Sequence, residues 1–398
     1  MNKLAIIISH PIQYYVPWFR HLATDPDLSI RVFYLWNFGV TEQIDPGFQQ
    51  TIQWDIPLLD GYDHEFVLNV SSDPGTHHIW GLDNPTLQEQ VREYAPDAVL
   101  LMNYNYISTY QFLWQWTQTP LLFRGDSHCL MQPRGLKAWL RKQWISAVYQ
   151  RLSACLYVGQ ANYNYFRHHG VPEDRLFFAP HAIENDRFMT QSTTATQQAQ
   201  LWKDELGIPA NHAVIVFAGK FISKKRPLDL LQAFIQADLA NTSLLLVGGG
   251  SLESELREQA IAHSHIHFAP FQNQSMMPRT YAIADLVVLP SYGPSETWGL
   301  AINEAMCLGK PVIVSDHVGC GADLVQSERN GLIFPAGDVS KLADALKHAM
   351  SDRQRLKQWG VESRRIISHY SYERTTHGLK NALHCVQTKM SCLEVGLL

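Results

Sequence analysis

Two glutamates eight residues apart, Glu296 and Glu304, lie in the run Pro290-Ser-Tyr-Gly-Pro-Ser-Glu-Thr-Trp-Gly-Leu-Ala-Ile-Asn-Glu-Ala-Met-Cys-Leu-Gly-Lys-Pro311. Residues 285–290 predict a strand, and Gly293 and Pro294 predict a loop after it. A helix is expected after Gly299, stopped by Gly309 and Pro311. Glu296 then belongs to the loop and Glu304 to the first turns of the helix. The free N–H groups of a helix start attract an anion, and Gly299 has no side chain to block close approach. The pattern suits a phosphorylated sugar, with phosphate on the helix end and hydroxyls on the carboxylates. A loop acid followed by a solvated helix acid is the other reading of the same two residues.

Cations are expected close by. Lys220, Lys224, Lys225 and Arg226 follow an apolar run that ends at Gly219. Loops at the carboxyl ends of parallel strands form ligand crevices. Basic side chains there can neutralise a pyrophosphate that gains charge as a sugar leaves; a solvated basic turn is the alternative. Gly248, Gly249 and Gly250 end another strand, and they either admit a ligand to the backbone or make a tight turn. Leu122-Phe-Arg-Gly-Asp-Ser-His128 ends a further strand, so Arg124, Asp126 and His128 are expected to project into a cleft, unless they only form a polar turn. His10 and Gln13 follow the first strand in the same way. Asp25-Pro-Asp27 mimics a metal-binding Asp-x-Asp but lies between a helix and a strand, away from the crevice, so no metal site is expected.

These stretches resemble the nucleotide-sugar site of retaining GT-B glycosyltransferases of the family 4, group 1 type, whose hallmark is two Glu separated by seven residues. Gly219-Lys-Phe-Ile-Ser-Lys-Lys-Arg-Pro227, Leu246-Val-Gly-Gly-Gly250, Pro278-Arg-Thr-Tyr-Ala-Ile-Ala-Asp285, Gly319-Cys-Gly-Ala-Asp-Leu-Val325 and Asn330-Gly-Leu-Ile-Phe334 also fit, over about residues 210–350. The resemblance implies a retaining transfer of a sugar from a nucleoside diphosphate to a hydroxyl acceptor, without metal or other cofactor. Glu304 is then placed at the ribose and Glu296 at the sugar hydroxyls. Lys225, Arg226, Gly249 and the helix start at Thr297, Trp298, Gly299 and Leu300 fall around the pyrophosphate. Lys220 stands where many members carry Arg, and Phe271 lies near the base. The family's catalytic histidine, or its substitute, falls among Arg124, Asp126 and His128. His10, Pro11 and Gln13 replace a glycine-rich loop at the acceptor entrance. Pro180-His-Ala-Ile-Glu-Asn-Asp186 resembles a motif that closes the first domain and is read as structural. A nucleotide-sugar epimerase of similar fold and a non-catalytic sugar-nucleotide-binding protein are the rival readings.

The rest of the chain must position these residues. Its 398 residues are 46% hydrophobic and 17% charged, enough for two compact domains. Apolar runs at 4–9, 30–36, 98–102, 121–124, 154–158 and 176–180, then 213–218, 243–247, 265–269, 285–290, 311–315 and 332–334, alternate with amphipathic segments. They predict an α/β protein of GT-B type, with two facing Rossmann-like domains and parallel sheets. The first domain is expected at 1–190 and the second at 205–360, joined by a polar linker near 190–199. The resemblance implies that residues 361–398 include a helix, about 372–388, that packs back on the first domain. Residues 60–84 read as an irregular insertion.

The net charge of −5 argues against general nucleic-acid binding. Six scattered cysteines read as free thiols in a reducing compartment. The apolar run at 4–8 is too short for a secretion signal, and no run approaches the ~20 residues that span a bilayer. A cytoplasmic protein, or one peripheral on the inner membrane face, is expected. Residues 134–151 hold five basic residues (Arg134, Lys137, Arg141, Lys142 and Arg151), no acid, and Trp139 and Trp144. This stretch reads either as a contact for an anionic membrane surface or as a domain helix with a core-facing side. The acceptor is accordingly expected to be a glycan or a lipid-linked molecule.

Overall fold

The computed structural model describes residues 2–40, 43–45, 47–131 and 135–395. They form the strands β1 Asn2–Ile8, β2 Leu28–Tyr34, β3 Gln43–Asp45, β4 Gln50–Ile52, β5 His64–Phe66, β6 Ala98–Leu101, β7 Leu121–Arg124, β8 Ala154–Tyr157, β9 Leu176–Phe178, β10 Ala213–Lys220, β11 Thr242–Gly249, β12 Ile266–Ala269, β13 Leu286–Leu289, β14 Val312–Ser315 and β15 Gly331–Phe334. All twelve apolar runs become strands, because such runs have no polar face to offer water and need cover on both sides. The chain divides into two compact units.

The first unit comprises Met1–Gln43, Pro57–His181 and Tyr372–Leu398. Its seven-stranded sheet runs β5-β2-β1-β6-β7-β8-β9, and its pairings are parallel. The insertion at 60–84 supplies the edge strand β5, which the sequence reading missed. The helix Tyr372–Val395 packs on β8, β9 and the helix Val16–Ala23. Gly378 permits this approach, since a Cβ there would lie 2.0 Å from the Phe178 carbonyl oxygen. Trp18 Nε1 donates to Thr376 Oγ1 at 3.1 Å. Lys380 Nζ bridges Asp25 and Asp27 at 3.0 and 2.7 Å, so these two carboxylates hold the helix on the sheet.

The second unit comprises Ile44–Ile56 and Ala182–Ser371. Its six-stranded parallel sheet runs β12-β11-β10-β13-β14-β15. The strand order reverses between β10 and β13, and in open α/β sheets ligands bind outside the carboxyl ends of the strands at such a point. Three boundaries differ from the sequence reading. The polar stretch near 190–199 is not a linker but part of the helix Ser192–Glu205, whose buried face is Ala195, Ala199 and Trp202. Alanine carries little hydrophobic signal, which is why composition missed it. Residues 182–190 belong to the second unit, where Asn185 Nδ2 donates to the Tyr370 carbonyl at 3.0 Å. Residues 361–371 do too, because the helix Arg353–Ile367 buries Trp359 and Ile366 there. The segment 44–56 also falls in this unit, although it is flanked in sequence by the first.

Candidate active site

β13 ends at Leu289, and its loop delivers Glu296 just before the helix Leu300–Cys307. Gly299 joins loop to helix at φ +102°, and a Cβ there would lie 2.8 Å from Leu289 Cδ2. Only glycine fits both the backbone and the space. A second glycine pins the loop: Gly319 N donates to the Glu296 carbonyl at 3.1 Å, and a Cβ on Gly319 would lie 1.8 Å from the Thr297 carbonyl oxygen.

Both glutamates are buried, Glu296 at 8% exposure and Glu304 at 1%. The solvated reading of the pair is therefore excluded. Glu296 accepts from Ser291 Oγ at 2.7 Å and from Lys225 Nζ. Burial alone would raise its pKa, but the Lys225 charge and the two hydrogen bonds outweigh burial and hold Glu296 below the usual carboxylate range. It is an anion at neutral pH. Thr297 and Leu300 are half-buried beside it. Trp298 is 2% exposed and its indole N–H donates to Asn303 Oδ1 at 2.8 Å. The Trp298 side chain thus belongs to the core, a correction to the donor contact expected of it.

The basic loop follows β10 through a single 3₁₀ turn, Ser223–Lys225, to Arg226 at φ +53°. Three of its four cations hold carboxylates: Lys220 Nζ binds Asp45 at 2.8 and 2.9 Å, Lys225 binds Glu296, and Arg226 Nε binds Asp229 at 2.8 Å. Lys224 is exposed. An anionic ligand at this loop must compete for cations already paired.

The glycines at the end of β11 divide by role. A Cβ on Gly248 would lie 2.0 Å from the Gly219 carbonyl oxygen, and one on Gly250 2.8 Å from that of Phe221. These two serve packing between backbones. Gly249 has ordinary clearance, 3.5 Å to Glu253 Oε2. Phe271 meets Phe48 edge to face, with ring centroids 4.7 Å apart.

In the first unit the strand-end residues are arranged differently from expectation. Arg124 does not project into a cleft. It is 2% exposed and donates to the carbonyls of Ala179 and Pro180 at 3.3 and 3.0 Å, with its guanidinium over the Tyr15 and Trp18 rings. Carbonyls at the end of β9 offer a desolvated guanidinium its partners, so Arg124 is structural. His128 is also buried, at 7% exposure, and accepts from Leu130 N at 3.4 Å. Asp126 keeps a side chain 36% exposed, and His181 Nε2 lies 3.4 Å from its Oδ2. His181 lies in the Pro180–Asp186 stretch read as structural, and 55 positions separate it from Asp126. The available signal was that His181 follows β9 as Asp126 follows β7, at the same carboxyl edge. Burial lowers the His181 pKa more than Asp126 raises it. His10 is edge-on to Trp36 and Phe38 with centroids 5.8 and 5.4 Å away, and burial brings its pKa down to about 4. Gln13 is half-buried in the same loop. Among the described residues, one group of three side chains could hold a metal: Asp73, His77 and His78, in a surface loop of the first unit.

Residues 198–366 match the family model described as "Glycosyl transferases group 1". The match lies within the second unit. It is 27% identical over 223 residues to a D-inositol 3-phosphate glycosyltransferase of Nocardia farcinica, a match covering 53% of this chain and 48% of the relative. The chain thus spans about half the length of the relatives it matches. In structure it is similar to Anabaena Alr3699/HepE solved with UDP and glucose, with a TM-score of 0.73, 16% identity, and coverage of 96% of this chain and 100% of the other. WaaG, described as a glycosyltransferase involved in lipopolysaccharide biosynthesis, gives a TM-score of 0.67 at 15% identity, covering 96% and 99%. The fold of this chain is therefore of GT-B type, built from two α/β units with parallel sheets.

Proposed function

We propose that this protein is a group 1 glycosyltransferase that moves a sugar, with retention, from a nucleoside diphosphate to a hydroxyl of a glycan or lipid-linked acceptor in cell-surface polysaccharide or glycolipid synthesis. The observation that carries the reading is Glu296, a buried anion held by Lys225 and Ser291 directly before a helix start. Buried carboxylates are costly and seldom kept without a task. Here the carboxylate would accept from sugar hydroxyls, and Glu304 from the ribose. Lys225 and the helix N–H groups would meet the diphosphate as the anomeric C–O bond breaks. The acceptor oxygen then forms the new bond, and its proton passes to a leaving phosphate oxygen. Asp126 and His181 are the first unit's candidates for holding the acceptor. The UDP and glucose of the HepE structure and the lipopolysaccharide role of WaaG support donor and pathway class.

The test is turnover with a panel of UDP-, GDP- and ADP-sugars. Diphosphate release that requires an acceptor supports transfer. An altered sugar formed from donor alone indicates an epimerase, and tight binding without turnover a silent sugar-nucleotide-binding protein. Activity is expected to survive EDTA, since cations occupy the position a metal would otherwise take. Complete loss on chelation, restored by Mn²⁺ or Mg²⁺, would contradict that model.

An anionic membrane surface completes the proposal, and with it a peripheral place on the cytoplasmic face. Among the described residues no helix is long and apolar enough to cross a membrane. The helix Leu136–Gln150 buries only Ile145, Val148 and Tyr149. Leu136, Trp139, Leu140 and Trp144 are 72, 55, 53 and 40% exposed, and Lys137, Arg141 and Lys142 lie among them. Arg134 lies outside the described residues. Residues 127–172 contain no acid in a chain of net charge −5. A lone domain helix does not explain four exposed large apolar side chains at helical spacing. Each basic residue near an anionic bilayer contributes about 1 kcal/mol, screened by salt. The protein should co-sediment with phosphatidylserine-containing vesicles at low salt and release at high salt. Lys137, Arg141 and Lys142 changed together to Gln should lose binding with an unchanged melting temperature. No lipid dependence in the intact protein would favour a soluble acceptor.

A further inference from the structure

The described residues of the segment 44–56 form a strap at the carboxyl ends of β10, β11 and β12. It is anchored at two places. At one, Asp45 takes Lys220 Nζ on both carboxylate oxygens, at 2.8 and 2.9 Å. At the other, Asp55 accepts from Ser275 N at 3.1 Å, and Asn273 Nδ2 donates to the Gln53 carbonyl at 2.6 Å. Between the anchors the strap lies on the glycines that end β11. The Gly47 carbonyl oxygen lies 2.9 Å from where a Gly250 Cβ would be, and the Phe48 carbonyl oxygen 3.7 Å from that of Gly249. Phe48 packs on Phe271, with Trp54 6.1 Å from the same ring, and Lys220 Nζ sits 4.9 Å from the Phe48 ring centroid.

The Asp45 carboxylate is surrounded like a bound anion. Besides Lys220, its Oδ1 accepts from Gly47 N at 2.8 Å and Phe48 N at 3.0 Å. Its side chain is 15% exposed. Burial would raise its pKa, but the Lys220 bond and the two amides outweigh this and hold it below the usual range. A permanent anion thus occupies Lys220 at the end of β10, beside the glycines of β11.

We infer that Asp45 is a built-in competitor for the donor's diphosphate at Lys220, and that donor binding exchanges the Asp45 carboxylate for a phosphate and releases this end of the strap. The inference rests on Lys220 being a donor-site cation, as proposed above. It makes Asp45 a residue that sets donor affinity although it would touch no donor atom. A merely structural ion pair gives the opposite sign, because its loss could only weaken the site.

The experiment titrates inorganic pyrophosphate and UDP calorimetrically into the full chain and its variants, each checked for an unchanged melting temperature. Asp45→Asn keeps the shape of the side chain and removes its charge. It should tighten binding of both probes about tenfold, the low end for a hydrogen bond to a charged group. Lys220→Ala should weaken binding, and the double variant should bind no tighter than Lys220→Ala alone. Limited proteolysis should cut within 44–56 faster when UDP is present. Weaker or unchanged binding in Asp45→Asn, with Lys220→Ala impaired, overturns the inference while leaving the donor site standing. Unimpaired binding in Lys220→Ala removes Lys220 from the donor site and takes the inference with it. If neither these probes nor GDP or ADP bind the unaltered protein, the donor reading itself is overturned.

Discussion

Glu296→Gln is expected to lower kcat about a hundredfold or more while leaving UDP affinity nearly unchanged. In the proposed function the carboxylate accepts from sugar hydroxyls, which shift as the anomeric carbon gains positive charge. Loss of one such preorganised contact typically costs about 10² to 10³ in rate. Glutamine keeps the volume and still accepts from Ser291 Oγ, so the buried loop should persist. It cannot, however, neutralise Lys225, so any change in UDP affinity should be a small gain and not a loss. Glu304→Gln should act on the other quantity. Its position at 1% exposure on the Leu300–Cys307 helix suits a ribose contact, and loss of a charged hydrogen bond weakens nucleotide binding about tenfold. Steady-state kinetics and UDP calorimetry on the two variants separate these roles. Equal effects of both changes on UDP affinity would sink the division.

The other large effect is expected for Lys225→Ala, and it has two parts. In function, diphosphate affinity should fall about tenfold and kcat/KM further if, as proposed, Lys225 meets charge that grows in the transition state. Lys224→Ala should do little, since Lys224 is exposed. Like behaviour of the two variants would show that the loop is read in the wrong register. In stability, Lys225→Ala strips the counter-ion from a buried carboxylate. The cost should be about 3 kcal/mol, near the low end for breaking a buried pair, because the Lys225 side chain is 21% exposed.

The pH dependence follows with a definite sign. In the intact protein the folded Glu296 pKa lies below the ordinary glutamate value of 4.5, so its contribution to stability is present above that value and lost as pH falls below it. Without Lys225 the leading influence is burial, which raises the pKa. Lys225→Ala should therefore show its largest drop in melting temperature near pH 7.5, and recover part of it near pH 5 as Glu296 protonates. A drop that does not shrink toward pH 5 would mean that Glu296 is not the group left uncompensated.

What the chain announces about itself is local. The runs that become β6 and β13 are continuous in apolar residues, and a segment buried on both faces must read that way wherever it sits in a sheet. Gly299 and Gly309 mark the ends of their helix because φ of +102° and +66° is a property of a residue and its neighbours. The eight-residue step from Glu296 to Glu304 spans one loop and one helical turn, so its meaning survives without any knowledge of distant chain. What the sequence could not settle is which distant groups meet. Asp45 and Lys220 are 175 positions apart, and Asp126 and His181 55 apart. Each pairing depends on which strand ends and loops come together, and strand order leaves no mark on local periodicity. Arg124 shows the same limit from the other side. A polar residue at a strand end reads as ligand-facing, yet carbonyls beyond β9 and the rings of Tyr15 and Trp18 draw it into the core. A side chain's partner is chosen by three-dimensional neighbours competing for its hydrogen bonds, and only the tertiary structure lists the competitors.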